Sequence, residues 1–235
     1  MRILLTRPEP DAQRTAAALR ALGHDVTVLP LLRIEVLPDA DLGGGPWAAI
    51  LVTSANAAHA IARHARGNEL RAVPVFAVGV RSAQAMRETG FADVTSADGN
   101  VDDLARLVDA RMKPGAMLLY LAGEARSGDL ASALRAQDFA VRTVVVYRAA
   151  PTENPRLADA LAGGVDTVLH FSRRSAEAYV SAARAAGLAE ATLKKLNHFC
   201  LSAPVAEPLN QAGAVKVHVA ARPDEGALIE LLKTA

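Results

Sequence analysis

One cysteine, Cys200, stands in 235 residues, so no disulfide can close within the chain. A reducing compartment fits that usage. Aromatic residues are scarce at 4%, while hydrophobic residues reach 51%. Any core must therefore be packed from Ala, Val and Leu. Net charge is nearly absent at +1, which removes a global pull toward nucleic acid or an acidic membrane. Local arginines can still build an anion site. No apolar run approaches the roughly 18 residues of a membrane span. The apolar part of the start, Ile3-Leu4-Leu5, is too short for a signal peptide. The expectation is a soluble, cytoplasmic chain.

Familiar catalytic signatures are missing as well. Gly43-Gly44-Gly45 precedes a predicted strand, whereas a dinucleotide fingerprint must follow one. Gly123 to Gly128 has the glycine spacing of a phosphate-binding loop, but Asp129-Leu130 stands where Lys-Ser/Thr is required. The six histidines show no ligand spacing, and with a single cysteine no metal site is expected. His170 and His198 fall in predicted strands and read as core or edge residues. Cys200, in mid-strand and apolar surroundings, reads as a buried inert thiol. Asp102-Asp103 reads as a first-turn pair favoured by the helix dipole. There is no Gly-x-Ser-x-Gly elbow.

What the chain does have is a recurring unit. Leu51-Val52-Thr53-Ser54-Ala55-Asn56-Ala57 is echoed by Leu169-His170-Phe171-Ser172-Arg173-Arg174-Ser175. Each is an apolar run, a small polar turn and an alanine-rich helical pattern, the shape of a βα unit in a parallel sheet. Phe76-Ala77-Val78-Gly79 with Gly90 matches Phe199-Cys200-Leu201-Ser202 with Gly213 at the same spacing. The first repeat's helix is expected to run to about Arg66-Gly67. Residues 122–128 read as a loop, and the helix after Ser202 as starting at Ala206. The fold class expected is α/β, with two flavodoxin-like parallel-sheet domains. The linker signals do not fall at the midpoint, so domain one is expected to be discontinuous, 1–36 with 152–235, around a domain two of 40–148. Linkers lie at about 33–46 and 144–155. The crossings Arg33 to Leu37 and Val144 to Ala149 are expected to pair as a two-stranded antiparallel hinge, which permits large lobe motion.

Open α/β sheets bind ligands at the carboxyl ends of their strands. Six turns fall there: Thr6-Arg7; Thr53, Ser54 and Asn56; Gly79, Arg81 and Ser82; Gly123 to Arg126; Ser172, Arg173, Arg174 and Ser175; and Ser202-Ala203. Small hydroxyls and backbone N–H groups at helix starts bind carboxylates and phosphates. Any one turn is explained by helix capping with solvated arginines. Six of them expected to face one cleft suit a large ligand with many carboxylates. Tyr147, one of three tyrosines, sits where domain two passes into the hinge. It fits two roles, packing the hinge or offering a phenol to the cleft as donor or weak acid.

These residues resemble the uroporphyrinogen-III synthase family across essentially the whole chain. The resemblance rests on Leu5-Thr6-Arg7-Pro8, Val52 to Ala57, Ala77-Val78-Gly79 with Ala83 and Gly90, Val146-Tyr147-Arg148, and Phe171-Ser172 with Ser175-Ala176. It implies two flavodoxin-like domains on a two-stranded linker. It implies a lyase that takes linear hydroxymethylbilane, a tetrapyrrole with eight carboxylates, inverts its last ring and closes the macrocycle with loss of water. No cofactor or metal is implied, and no partner beyond the small-molecule substrate: no nucleic acid, no membrane, a monomer. By position, Thr53, Ser54, Ser82, Ser172 and Arg174 match turns lining the family's cleft. Tyr147 matches the tyrosine proposed to assist departure of hydroxide. The chain departs from the family's Gly-x-Thr-Thr-Ala, with Ser202-Ala203-Pro204-Val205-Ala206 in its place. A two-lobed module that binds a polycarboxylate without transforming it is the alternative.

Overall fold

The computed structural model describes every residue except 126–127, 153–155, 189 and 234–235. The chain divides into two compact units, Met1–Arg33 with Ala150–Ala235 (unit 1) and Ile34–Ala149 (unit 2). Unit 1 opens with β1 (Arg2–Leu5), α1 (Asp11–Ala21) and β2 (Asp25–Val28), and β3 (Leu32–Val36) carries the chain across. Unit 2 continues through β4 (Ala49–Val52), α2 (Ala55–Ile61), β5 (Val75–Ala77), α3 (Val80–Glu88), β6 (Val94–Ser96), α4 (Val101–Arg111), β7 (Met117–Gly123) and α5 (Leu130–Arg135). The long β8 (Ala140–Pro151) returns to unit 1. There follow α6 (Leu157–Ala162), β9 (Thr167–His170), α7 (Arg173–Ala185), α8 (Glu190–Lys195), β10 (Asn197–Cys200), α9 (Ala203–Gln211), β11 (Val217–Val219) and α10 (Glu225–Leu232).

The unit 1 sheet has the order β11-β10-β9-β1-β2, and its four neighbouring pairs are parallel. In unit 2 the order is β3-β8-β7-β4-β5-β6, parallel from β8 to β6. Parallel strands carry helices on both faces and so need apolar residues throughout. Ala49-Ile50-Leu51-Val52 in β4 and Thr167-Val168-Leu169-His170 in β9 are buried at every position. Counted along the chain within each unit, the parallel strands run 2-1-3-4-5 in unit 1 and 3-2-1-4-5 in unit 2. The first is the flavodoxin-like order and the second the other common doubly wound order. The expectation of a flavodoxin-like order in unit 2 is thus corrected by its strand sequence. The direction of winding reverses between β1 and β9 in unit 1, and between β4 and β7 in unit 2. Doubly wound sheets open a crevice at such points.

Along the crossing strands, Leu37 N–H donates to Val146 O at 2.8 Å and Thr152 N–H to Leu31 O at 3.0 Å, so the two run in opposite directions. Arg148 donates to Glu35 at 2.8 Å between them. Three boundaries differ from expectation. Helix α2 stops at Ile61, because the chain then folds back through tight turns, His64 N–H to Ile61 O and Gly67 N–H to His64 O. Gly67 passes so close that a Cβ there would overlap Ile61 O. Strand β7 runs on to Gly123, which therefore lies in the sheet rather than in a loop. Helix α9 begins at Ala203, three residues early, because Pro204 fills a first-turn position where its missing N–H costs nothing. The repeated glycines hold up locally: Gly90 (φ 96°) and Gly213 (φ 85°) both follow a helix end in the left-handed region that glycine adopts without strain.

The unit 1 core holds an unusual polar pair. His170 and His198 are both fully buried, on adjacent strands, with a ring nitrogen contact of 3.2 Å. The His198 Nε2 lies 3.1 Å from the Leu193 carbonyl, which can only accept. With both rings neutral, His198 Nδ1 is bare and accepts from His170 Nε2–H. Tyr179 packs edge-on against both rings. Burial and the neighbouring His198 hold His170 well below the ordinary imidazole range. Burial, against a smaller opposing effect of the Leu193 bond, brings His198 down to about 4. Cys200, two residues on, is a buried thiol pushed up to about 12 by burial.

A folded-state imidazole with a depressed pKa takes up its proton on unfolding. Its stabilising contribution is whole above the unfolded value near 6.5 and is lost as pH falls toward the folded value. Between pH 6.5 and about 4, the protein should lose on the order of 3 kcal/mol through His198 alone. Thermal melts followed by circular dichroism across that range test this, and a flat melting temperature would refute it.

Candidate functional site

Four hydroxyls meet at the winding reversal of unit 2. Thr53 and Ser54 follow β4, Tyr120 lies in β7, and Tyr147 lies in β8. The Thr53 and Tyr120 hydroxyls are 3.0 Å apart. The Tyr147 hydroxyl stands beside that of Ser54. A pocket of about 320 Å³ opens beside them, lined by Thr53, Ser54, Val78, Asn100, Val101, Gly123, Ala125 and Tyr147. That volume is at the low end for small-molecule sites. Its walls hold no carboxylate and no lysine, arginine or histidine among the described residues.

Local structure explains how each group is placed. Ser54 is extended (φ −153°) and caps α2, accepting from Asn56 N–H at 3.2 Å. Asn100 caps α4 through a reciprocal box, accepting from Asp102 and Asp103 N–H while Asn100 N–H donates to the Asp103 carboxylate at 2.8 Å. Asp102 and Asp103 thus act at a helix start, as their position suggests. Tyr147 is set by a skip in the ladder: Ala122 pairs with Val145, but Gly123 pairs with Tyr147. The phenol then lies over Gly123, where a Cβ would come within 2.7 Å of Tyr147 Cζ and Oη. Burial raises the Tyr147 pKa above its ordinary value. Ser54 opposes that shift and Tyr120 adds to it. The phenol therefore keeps its proton through neutral pH and remains a donor.

The other strand-end residues divide by what they touch. Asn56 lies in the first turn of α2 and is partly buried. Gly79 stands at the start of α3 without a side-chain cap, followed by exposed Arg81 and buried Ser82. Gly123 is buried beneath Tyr147, and Arg126 lies outside the described residues. In unit 1, Thr6 is fully buried and its hydroxyl has no hydrogen-bond partner among the described residues. Arg7 sits 4.1 Å over the Phe171 ring and donates to Thr15 (2.9 Å) and Asp11 (2.9 Å), with Glu225 at 3.4 Å. Burial raises Glu225, but Thr15, Arg7 and Arg14 outweigh it and hold the carboxyl below its ordinary range. Two carboxylates thus already neutralise Arg7.

Ser172 caps α7, accepting from Ser175 N–H at 3.1 Å, and the two hydroxyls are 2.9 Å apart. Such a cap is worth about 1 kcal/mol. Arg173 reaches Glu177 at 3.0 Å and Glu207 at 2.6 Å on the exposed surface, where ion pairs contribute little. Arg174, in the first turn of α7, lines a groove of about 780 Å³ with Leu31, Leu32, Glu177 and Ser181. Ser202 caps α9 by backbone alone and Ala203 opens that helix, exposed. Another hollow of about 620 Å³, beside Trp47 and Phe139, lies at the amino ends of β7 and β8, where Met117 and Ala140 begin the strands. No group of three or more His, Cys, Asp or Glu able to hold a metal occurs among the described residues. None of the described helices is long and apolar enough to cross a membrane.

Tyr120 is not legible in the sequence as a site residue. Its neighbours Leu118, Leu119 and Leu121 make it look like ordinary core, and it is only 4% exposed. Its sole signal is position, three residues before Gly123. Asn100 is legible as a cap, and its place on the pocket wall is not.

Replacing Gly123 by Ala must displace the Tyr147 ring, because the added carbon would overlap it. The ring tip is the movable partner, so stability should fall by only about 1 kcal/mol. Urea unfolding measures that loss. An alkaline absorbance titration should show the phenol ionising at lower pH as its burial is relieved, and an unchanged titration would contradict the contact.

Compared with solved structures, the chain superposes on uroporphyrinogen-III synthetase from Helicobacter pylori with a TM-score of 0.69. The identity is 16%, over 100% of this chain and 99% of that one. A mutant uroporphyrinogen III synthase from Thermus thermophilus gives 0.54 at 18% identity, over 100% and 98%. At such identities the likeness is one of fold, α/β with two parallel-dominated sheets. No curated protein matches the sequence. The profile of uroporphyrinogen-III synthase HemD matches residues 13–230. That match takes in both units and nearly all of the chain, which therefore belongs to the uroporphyrinogen-III synthase family.

Proposed function

We propose that in this lyase, which cyclises hydroxymethylbilane to uroporphyrinogen III with inversion of ring D and loss of water, the unit 2 pocket holds the reacting end of the substrate. The observation that carries the assignment is the Tyr147 phenol: partly buried, protonated and set beside Ser54 on the wall of a pocket at the winding reversal. A pocket of about 320 Å³ suits one end of a tetrapyrrole better than all four rings.

Loss of hydroxide from the terminal hydroxymethyl group needs a hydrogen-bond donor at the departing oxygen. Tyr147 supplies one without becoming an anion, and Thr53, Ser54 and Asn100 add neutral dipoles. The electron-rich pyrroles drive the ring chemistry themselves. The protein's part is to hold the chain ends close and to shield the cation from water. A wall whose described residues carry no ionised group suits that part, since they offer no charged base to capture the cation.

In unit 1, carboxylate binding is assigned to the first turns of α7 and α9, with Ser172, Ser175, Ser202 and Ala203. Backbone N–H groups there replace the family's two threonine hydroxyls. The order of the unit 1 strands supports the flavodoxin-like reading, and unit 2 is its doubly wound counterpart. The single buried cysteine supports a cytoplasmic location, and we take the working form to be a monomer.

Supplied with hydroxymethylbilane generated in the assay, the protein should yield the type III isomer. Tyr147→Phe should cut kcat by about a hundredfold while melting at nearly the same temperature. Product isomers separated by chromatography give the readout. Type I product alone from the unaltered protein, or full turnover by Tyr147→Phe, would overturn the assignment.

A further inference from the structure

Two phenols stand beside two consecutive hydroxyls on the β4 turn. Tyr147 shares the pocket wall with Ser54, and Tyr120 is hydrogen-bonded to Thr53 at 3.0 Å. Only the first phenol lines the pocket with the two hydroxyls. Tyr120 lines a separate, polar hollow with Asp129, Ser132, Arg135 and Thr143. Its strand partners, Leu51 in β4 and Thr143 in β8, flank it on both sides and fix its ring in the sheet.

A phenol is a stronger donor than an aliphatic alcohol, because its pKa lies near 10. Across the 3.0 Å contact the favoured arrangement has Tyr120 O–H donating and Thr53 Oγ accepting. The Thr53 proton must then point elsewhere. Thr53 is β-branched, so its χ1 is stiff, and a bond that fixes its oxygen leaves its O–H few directions. The pocket is one of them, since Thr53 forms part of its wall.

We infer that Tyr120 is a positioning residue for the cyclisation: it donates to Thr53 from within the core and so presents the Thr53 O–H to the substrate as a second donor beside Tyr147. This rests on the assignment of the unit 2 pocket as the reacting site. It separates the roles of the two tyrosines. Tyr147 touches the substrate, whereas Tyr120 acts only through Thr53.

The test is a double-mutant cycle on the full-length protein with assay-generated hydroxymethylbilane. Tyr120→Phe keeps the ring and removes the donor. It should lower kcat about tenfold and leave KM within about twofold, because the bond matters most as hydroxide departs. Thr53→Val should lower kcat by at least as much. The pair Thr53→Val/Tyr120→Phe should be no slower than Thr53→Val alone, since Tyr120 then has nothing to orient. Thr53→Ser, which retains a hydroxyl and its Tyr120 partner, should turn over within about threefold of the unaltered protein.

Losses that multiply in the double variant would mean that Tyr120 contributes by packing, and would overturn the inference. Normal kcat in Tyr120→Phe would overturn it too, as would a Thr53→Ser loss as deep as that of Thr53→Val. The two readings fail differently. If Tyr147→Phe and Thr53→Val both turn over normally, the pocket is not the site and both readings fall. If those two are slow while Tyr120→Phe is not, only the role of Tyr120 falls.

Discussion

Burial of both sheet faces is the constraint on which the rest of this structure depends. A parallel strand covered by helices on each side has no wet face, so it is mostly apolar and any polar group in it needs a partner. Ile50, Leu51 and Val52 in β4, and Val168 and Leu169 in β9, satisfy that demand at 0% exposure. Polar groups are then displaced to strand ends, where backbone N–H groups of the next helix also remain unpaired. The pocket beside Thr53, Ser54 and Tyr147 is a consequence of that displacement. So is the character of its described wall, which offers neutral hydroxyls and an amide.

Much of the fold can be read from residue pattern because the same constraint writes itself into the sequence. The β4 and β9 runs, the Asn100 cap and the glycines at 90 and 213 are local signals, and local structure follows them. Pattern fails where the deciding contact comes from outside the element itself. Helix α2 ends at Ile61 because the backbone doubles back through Gly67, and alanine-rich periodicity carries no trace of that turn. Pro204 reads as a barrier to α9, yet a proline in the first turn loses no bond. Strand order in unit 2 depends on which edge β7 joins, and apolar runs do not encode that choice.

The site shows the same division. Hydroxyls at strand ends are visible by type and place, and Ser54 and Thr53 do lie on the pocket wall. Arginines are less informative, because a guanidinium reveals nothing of its partner. Arg7 is held by Asp11 and Glu225 from two helices far apart in the chain, and Arg173 by Glu177 and Glu207. An arginine count therefore overstates the positive charge on offer to a ligand. Tyr120 is hidden for the opposite reason: leucines on either side disguise a phenol that bonds to a hydroxyl 67 positions away.

The ladder skip between Ala122 and Gly123 gives β8 one more residue than β7 over the same span. Side chains alternate sides along a strand, so that extra residue decides which side of the sheet Tyr147 occupies. In an unbroken ladder Gly123 would pair with Val146, and Tyr147 would face the other side of the sheet; the skip sets the phenol over Gly123 instead. The pairing of the strands, and not residue type alone, sets the Tyr147 hydroxyl over Gly123 and onto the pocket wall.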